Sequence, residues 1–173
     1  MFFLPYRDDN ATKKFALVNW CLIAGNLLVF FYFQFPLGER EQLAYFSNFG
    51  FIPASFFKQF SEFDPSYAAW EWGSVFTSMF SHGGILHLFG NLLFLHLYGD
   101  NVEDAMGKVR YLLFYLSCGF LAAIAQSLSD PTSQVPMVGA SGAISGVIAC
   151  YLLIYPLANL SLIHISEPTR PLY

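Results

Sequence analysis

The sequence predicts an all-α membrane protein, a polytopic helical bundle. Three observations carry that reading. Hydrophobic residues make up 55% of the chain and charged residues only 12%, about half the charge of an ordinary soluble domain. The apolar residues are gathered in long runs, and the mean hydropathy is +0.48. Four of those runs approach the roughly 20 residues that a bilayer crossing needs. A net charge of −4 without a basic patch argues against nucleic acid as a partner. The three cysteines, Cys21, Cys118 and Cys150, lie in apolar stretches and lack metal-ligand spacing, so they read as buried small hydrophobes.

The first span is expected at about 15–35. Asn19, Asn26 and Gln34 interrupt it, and the two asparagines are expected to face other helices rather than lipid. Lys13 and Lys14 precede it, which predicts a cytoplasmic N-terminus. The leader carries acidic residues and no cleavage site, unlike a signal peptide. The connection 36–72 mixes Phe46, Phe49, Phe51, Phe56, Phe57 and Phe60 with Glu39, Arg40, Glu41, Lys58 and Glu62. It predicts short amphipathic helices in the membrane interface, with Trp70 and Trp72 at headgroup level. The second span is expected at about 74–98, the third at 111–128 and the fourth at 139–155.

Polar residues where lipid should be are the candidates for chemistry. Gly139, Gly142 and Gly146 bracket Ser141 in GASGAISG. Small residues at this spacing permit close helix packing, and a partner helix is expected on the Gly142–Gly146 face beyond those of this chain. The same motif also suits a serine at a helix start, where free N–H groups can hold an oxyanion. Ser145, one turn on, reads as a packing residue. In HGGILHLFGN, His87 and Asn91 are four apart and share one helix face, offering two side-chain donors. His82 near the outer end reads as a structural hydrogen-bonding residue, and His96, deeper, as structural or interfacial. His82, His87, Asn91 and Ser141 are expected to line one water-filled cavity if their helices pack together.

HxxxxHxxxN followed by GxSG in a polytopic chain resembles the rhomboid family of intramembrane serine proteases. The resemblance covers roughly 13–156. It implies four transmembrane helices of a six-helix core, with Ser141 as nucleophile of a serine–histidine dyad. It further implies an oxyanion hole from His87, Asn91 and the Ser141 N–H, supported by His82, Gly139 and Gly142. The implied partners are transmembrane protein substrates and the lipid bilayer, without metal or cofactor, and the implied setting is a multi-pass protein of the bacterial plasma membrane. Two departures qualify this. Trp72 is followed by Gly73 where many members carry Trp–Arg. The family's general base, a histidine on the sixth helix, has no counterpart: His164, in a helix continued from Ser141, would lie about 34 Å away. Residues 1–158 read as a partial rhomboid domain and 159–173 as a tail of unrelated origin. This polypeptide is therefore expected to be inactive. Two alternatives stay open: a non-catalytic rhomboid-like protein that binds membrane clients, and a small membrane protein unrelated to proteolysis.

Overall fold

A computed structural model describes residues 3–8, 12, 14–58, 64–156 and 160–164, with 3–8 and 160–164 described as backbone. The first apolar run forms helix α1, Leu17–Leu28, and continues without a break as a π-helical segment, Val29–Gln34. The connection after it folds into α2, Glu39–Phe49, and α3, Pro53–Lys58, where short amphipathic helices were expected; Phe60 and Glu62 lie outside the described residues. Helix α4 spans Pro65–Ser78, α5 Ile85–Met106, α6 Lys108–Ser129 and α7 Ser141–Ile154.

Among the described residues, two helices are long and apolar enough to cross a membrane, Leu17–Gln34 and Lys108–Ser129, and the shorter α7 is also apolar. The expected second span is not one helix. It is divided between α4 and α5, because the chain tightens at Ser78–Ser81, where Met79, Phe80 and Ser81 donate their N–H groups three residues back. The Gly83–Gly84 pair then leaves α5 to start afresh. Apolar character runs straight through this break, so hydropathy alone does not reveal it.

The described fold is also not wholly α. Strand β1, Phe3–Asp8, pairs antiparallel with β2, Leu160–His164, placing the backbone of His164 opposite Phe3.

The bundle closes by small residues. Helix α7 packs on α6 and α5. A β-carbon on Gly142 would fall 2.6 Å from Cβ of Ala122, and one on Gly146 would collide with the Cys118 side chain. The partner of the Gly142–Gly146 face is therefore α6 itself, which corrects the expectation of a helix beyond this chain: the two glycines let α6 and α7 approach to backbone distance. On the α5 side, Tyr151 meets Tyr98 with ring centroids 4.8 Å apart, over a core of Leu95, Ala143, Ile144 and Val147. Asn19 and Asn26 are both buried, as expected of polar groups that avoid lipid.

One buried carboxylate anchors the opposite end of the bundle. The Val18 and Asn19 N–H groups donate to Glu103 at 3.2 and 2.7 Å. These belong to the first turn of α1, whose N–H groups have no acceptor within the helix. Asn19 then donates from its amide to Leu95 O at 3.1 Å and accepts from the Tyr111 hydroxyl at 2.8 Å. Gly99 leaves the space for this, since a β-carbon there would strike both Asn19 and Tyr111. Glu103 thus caps a helix 84 residues away and links α1, α5 and α6. Glu103→Ala should lower stability by about 2–3 kcal/mol, the scale of hydrogen bonds to a charged group with their donors left buried. Unfolding in mixed detergent micelles measures this, and an unchanged midpoint would contradict the capping role.

Candidate active site

Ser141 is the first residue of α7 and is exposed. The N–H groups of that first turn lack intrahelical acceptors, so they point at whatever lies before the helix. Two residues earlier, Gly139 adopts φ +120°, a conformation that favours glycine. Its N–H donates to Ser78 O at 2.9 Å, which fixes the approach to α7 against the end of α4. The same approach is held further back, where Phe51 and Met137 exchange N–H···O bonds of 3.0 and 2.8 Å and Ala54 N donates to Ser133 O at 3.0 Å.

The two donors on the α5 face lie against this turn. A β-carbon on Gly139 would stand 2.6 Å from His87 Cε1, 2.7 Å from His87 Nε2 and 3.7 Å from Asn91 Nδ2. The imidazole edge of His87 therefore rests on the α-carbon of Gly139, with the amide of Asn91 nearby. Asn91 is buried and His87 exposed. One Asn91 N–H is committed to His87 O at 3.0 Å; an amide nitrogen has two hydrogens, and the other remains for a ligand. Ser145 donates its hydroxyl to Ser141 O at 2.8 Å, a bond within one helix turn. His96 is exposed, its ring 5.5 Å from that of Trp20.

His82 sits behind His87, with ring centroids 5.2 Å apart in an edge-to-face arrangement. Its hydrogen bonds run through the backbone. Gln34 accepts from His82 N at 3.1 Å and donates to His82 O at 3.0 Å, and all of these groups are buried. Both ring nitrogens of His82 are buried with no hydrogen-bond partner among the described residues. The hydrogen bond expected of its side chain is thus replaced by a two-point amide clamp on its main chain. Sequence reading noted Gln34 as a polar interruption but carried no signal of its partner 48 residues away.

Among the described residues, Ser141 and His82 line different pockets. Ser141, Gly139 and Gly142 line a pocket of about 210 Å³ with Ser78, Met79 and Gln126, while His82 lines a separate one. The reason is the break at Ser78–Gly84: it puts His82 on a connecting turn rather than on the helix face that carries His87 and Asn91.

A family model for the rhomboid domain matches residues 69–169, more than half of the chain. The chain belongs to the rhomboid family. Two proteins of Bacillus subtilis (strain 168) are similar to it. YdcA is 35% identical over 89 residues, covering 51% of this chain and 44% of that protein. Rhomboid protease GluP is 39% identical over 84 residues, 49% of this chain and 16% of that protein. Inactive rhomboid protein 1 of Drosophila melanogaster is 37% identical over 75 residues, 43% of this chain and 5% of its own length. The chain spans less than half the length of these rhomboid relatives, and no solved structure matches it. The family is membrane-integral and contains both proteases and inactive members.

Because Gly139 carries a positive φ and supports the His87 ring, Gly139→Ala should be costly twice over. A non-glycine residue in such a conformation costs about 1–3 kcal/mol, and the new methyl must push the imidazole away. Thermal unfolding together with the His87 imidazole NMR resonances tests this; unmoved resonances would mean that the ring does not lean on the turn.

Proposed function

We propose that this chain carries the nucleophile and the oxyanion-binding half of a rhomboid intramembrane serine protease, which cleaves the transmembrane segments of other membrane proteins. The observation that carries the reading is the contact of His87 with Gly139, two residues before Ser141 at the free start of α7, with Asn91 beside it. In this reading Ser141 Oγ attacks the scissile carbonyl. The negative charge that develops on the carbonyl oxygen meets donors from the Ser141 N–H, His87 and Asn91, which are set in place before the reaction and need no reorganisation. Gly139 leaves room for these donors, and Gly142 seats the serine's helix on α6. His82 supports the ring of His87 from behind.

A serine hydroxyl is a weak nucleophile until a base takes its proton, and that base must lie within about 3 Å. The described side chains near Ser141 offer no histidine in that role: His87 serves the oxyanion, and His82 is buried behind it. We assign the base to a later helix of the whole protein. That helix would cover apolar residues left exposed on the bundle, among them Ile85, Leu86 and Phe89 of α5 and Leu152 and Leu153 of α7. Four crossings are part of this proposal: the first span, α5, α6 and α7, with the N-terminus cytoplasmic (Lys13 lies outside the described residues) and α2 and α3 at the opposite interface. A bacterial plasma membrane is its setting. The division near residue 158 belongs to it as well: α7 ends at Ile154, and of the segment 159–173 only Leu160–His164, a strand, is among the described residues.

The second reading, a non-catalytic member that binds membrane clients, is favoured by the similarity to an inactive rhomboid protein. A reporter transmembrane substrate in proteoliposomes separates the two. The whole protein is expected to cleave it and Ser141→Ala to abolish cleavage. His87→Ala and Asn91→Ala should each lower kcat by about 10²–10³, the cost of an oxyanion donor. The 173-residue chain alone should not cleave. Absence of cleavage by the whole protein would favour the client-binding reading, and cleavage by the 173-residue chain, lost in Ser141→Ala, would overturn the assignment of the base.

A further inference from the structure

Gln34 commits both halves of its side-chain amide to one residue. Its Nε2 donates to His82 O at 3.0 Å, and its Oε1 accepts from the His82 N–H at 3.1 Å. An extended residue turns its own N–H and C=O to the same side, as in the hydrogen-bonded pair of an antiparallel ladder. The amide therefore pairs with His82 as a neighbouring strand would. The chain at this place needs such a hold. Gly83 and Gly84 follow, glycine has the greatest backbone freedom of any residue, and a β-carbon on Gly84 would meet nothing within 4 Å.

The first span is shaped to bring Gln34 there. Asn26, Phe30 and Gln34 lie four apart and are all buried. In an α-helix of 3.6 residues per turn, each step of four drifts about 40° around the axis. The turns from Val29 to Gln34 are wider, and Phe35 N donates to Phe30 O, five residues back, at 2.7 Å. The wider i→i+5 winding takes up the drift and keeps Gln34 on the buried side, while Phe31 and Phe33 stay exposed.

We propose that Gln34 is a positioning residue for the oxyanion donors of the candidate site, acting through His82 on His87. The His82 ring stands edge-to-face against that of His87, with centroids 5.2 Å apart, and His87 rests on the Gly139 turn. A shift of the His82 main chain thus reaches the His87 ring through a single packed contact. Gln34 borders the pocket that His82 lines and not the one that Ser141 lines, so its influence on the reaction is indirect. The consequence for catalysis rests on the proteolytic reading; the mechanical link from Gln34 to His87 does not.

The test combines Gln34→Met, close in length but without the amide, with His87→Ala in the whole protein. Cleavage of a reporter transmembrane substrate is followed in proteoliposomes, well below the unfolding temperature of every variant. Gln34→Met should lower kcat about 10–100-fold, the scale of a misplacement of about 1 Å, with KM unchanged because the donors act in the transition state. In the His87→Ala background the same substitution should change kcat less than about twofold, since its effect passes through the ring already removed. An equal factor in both backgrounds would overturn the proposal, as would an unchanged kcat or a rise in KM alone. The His87 imidazole NMR resonances, identified by their loss in His87→Ala, give a readout that does not depend on cleavage. They should shift or broaden in Gln34→Met, and unmoved resonances would overturn the proposal whatever the kinetics. If the whole protein cleaves in no form, the proteolytic reading fails and the resonances alone decide the link. Should Gln34→Met fail to fold, Gln34→Glu takes its place: it still accepts from the His82 N–H, and it should show the same non-additivity with a smaller loss.

Discussion

The close approach of α7 to its neighbours is the constraint on which the rest of this structure depends. In a membrane, helices gain little from burying apolar surface against one another, because lipid is equally apolar; packing and interhelical hydrogen bonds must do the work. Here three glycines supply the packing. Gly142 and Gly146 set α7 on α6 at Ala122 and Cys118, and Gly139 sets the entrance of α7 against His87 and Asn91 of α5. The start of α7 is thereby held between two helices, and with it the N–H groups that have no intrahelical partner. A single side chain at any of these three positions would move the serine relative to the donors on α5. In the proposed reading the residues that permit packing also position the nucleophile, and the two roles do not compete.

Around that joint the fold is held at both ends by polar groups that lipid would otherwise leave unsatisfied. Glu103 and Asn19 tie α1 to α5 and α6 at one end. Gln34 ties the far end of the same span to the main chain at His82. The first span therefore fixes both ends of the segment that presents His87. Its π-helical last turns belong to this arrangement: they carry Gln34 to a buried position facing the turn before α5, while Phe31, Phe33 and Phe35 stay exposed.

The sequence made the helices and their polar anomalies legible, and the partners of those anomalies much less so. Asn19, Asn26, His87 and Asn91 stood out because each is a polar group in an apolar run. Gly139 and Ser141 stood out because glycines crowd one serine. Local pattern carries this information, since helix periodicity and composition are set within a few residues. Asn26 and Asn91 donate within one turn of their own helix, but the contacts of Asn19 with Glu103, Leu95 and Tyr111 span 76 to 92 positions, and no local rule specifies them. The break between α4 and α5 was hidden for another reason. Hydropathy is scored by residue type and not by conformation, so the tightened turn at Ser78–Ser81 scores as the same residues in a helix would; its hydroxyls bond back to their own chain, Ser78 to Val75 O at 2.8 Å and Ser81 to Thr77 O at 3.3 Å. The pairing of β1 with the segment after α7 was hidden as well, because strand pairing between distant segments leaves its mark on neither alone.

That break shapes what the site is able to do. Had α4 and α5 formed one continuous span, His82 would have sat five residues before His87, on a different side of the same helix, and faced lipid or a neighbouring helix. Ending α4 at Ser78 instead frees two things at once. The carbonyl of Ser78 becomes the acceptor for Gly139 N–H, which steers the chain into α7. The turn that follows carries His82 inward behind His87, where Gln34 clamps its backbone. An oxyanion site needs donors that do not reorganise as charge develops. The donors on α5 are held from below by the helix and from the front by Gly139. They are held from behind by a histidine whose own position is set by the first span. The rigidity of the His87–Asn91 face is thus a property of four helices rather than of the helix that bears it.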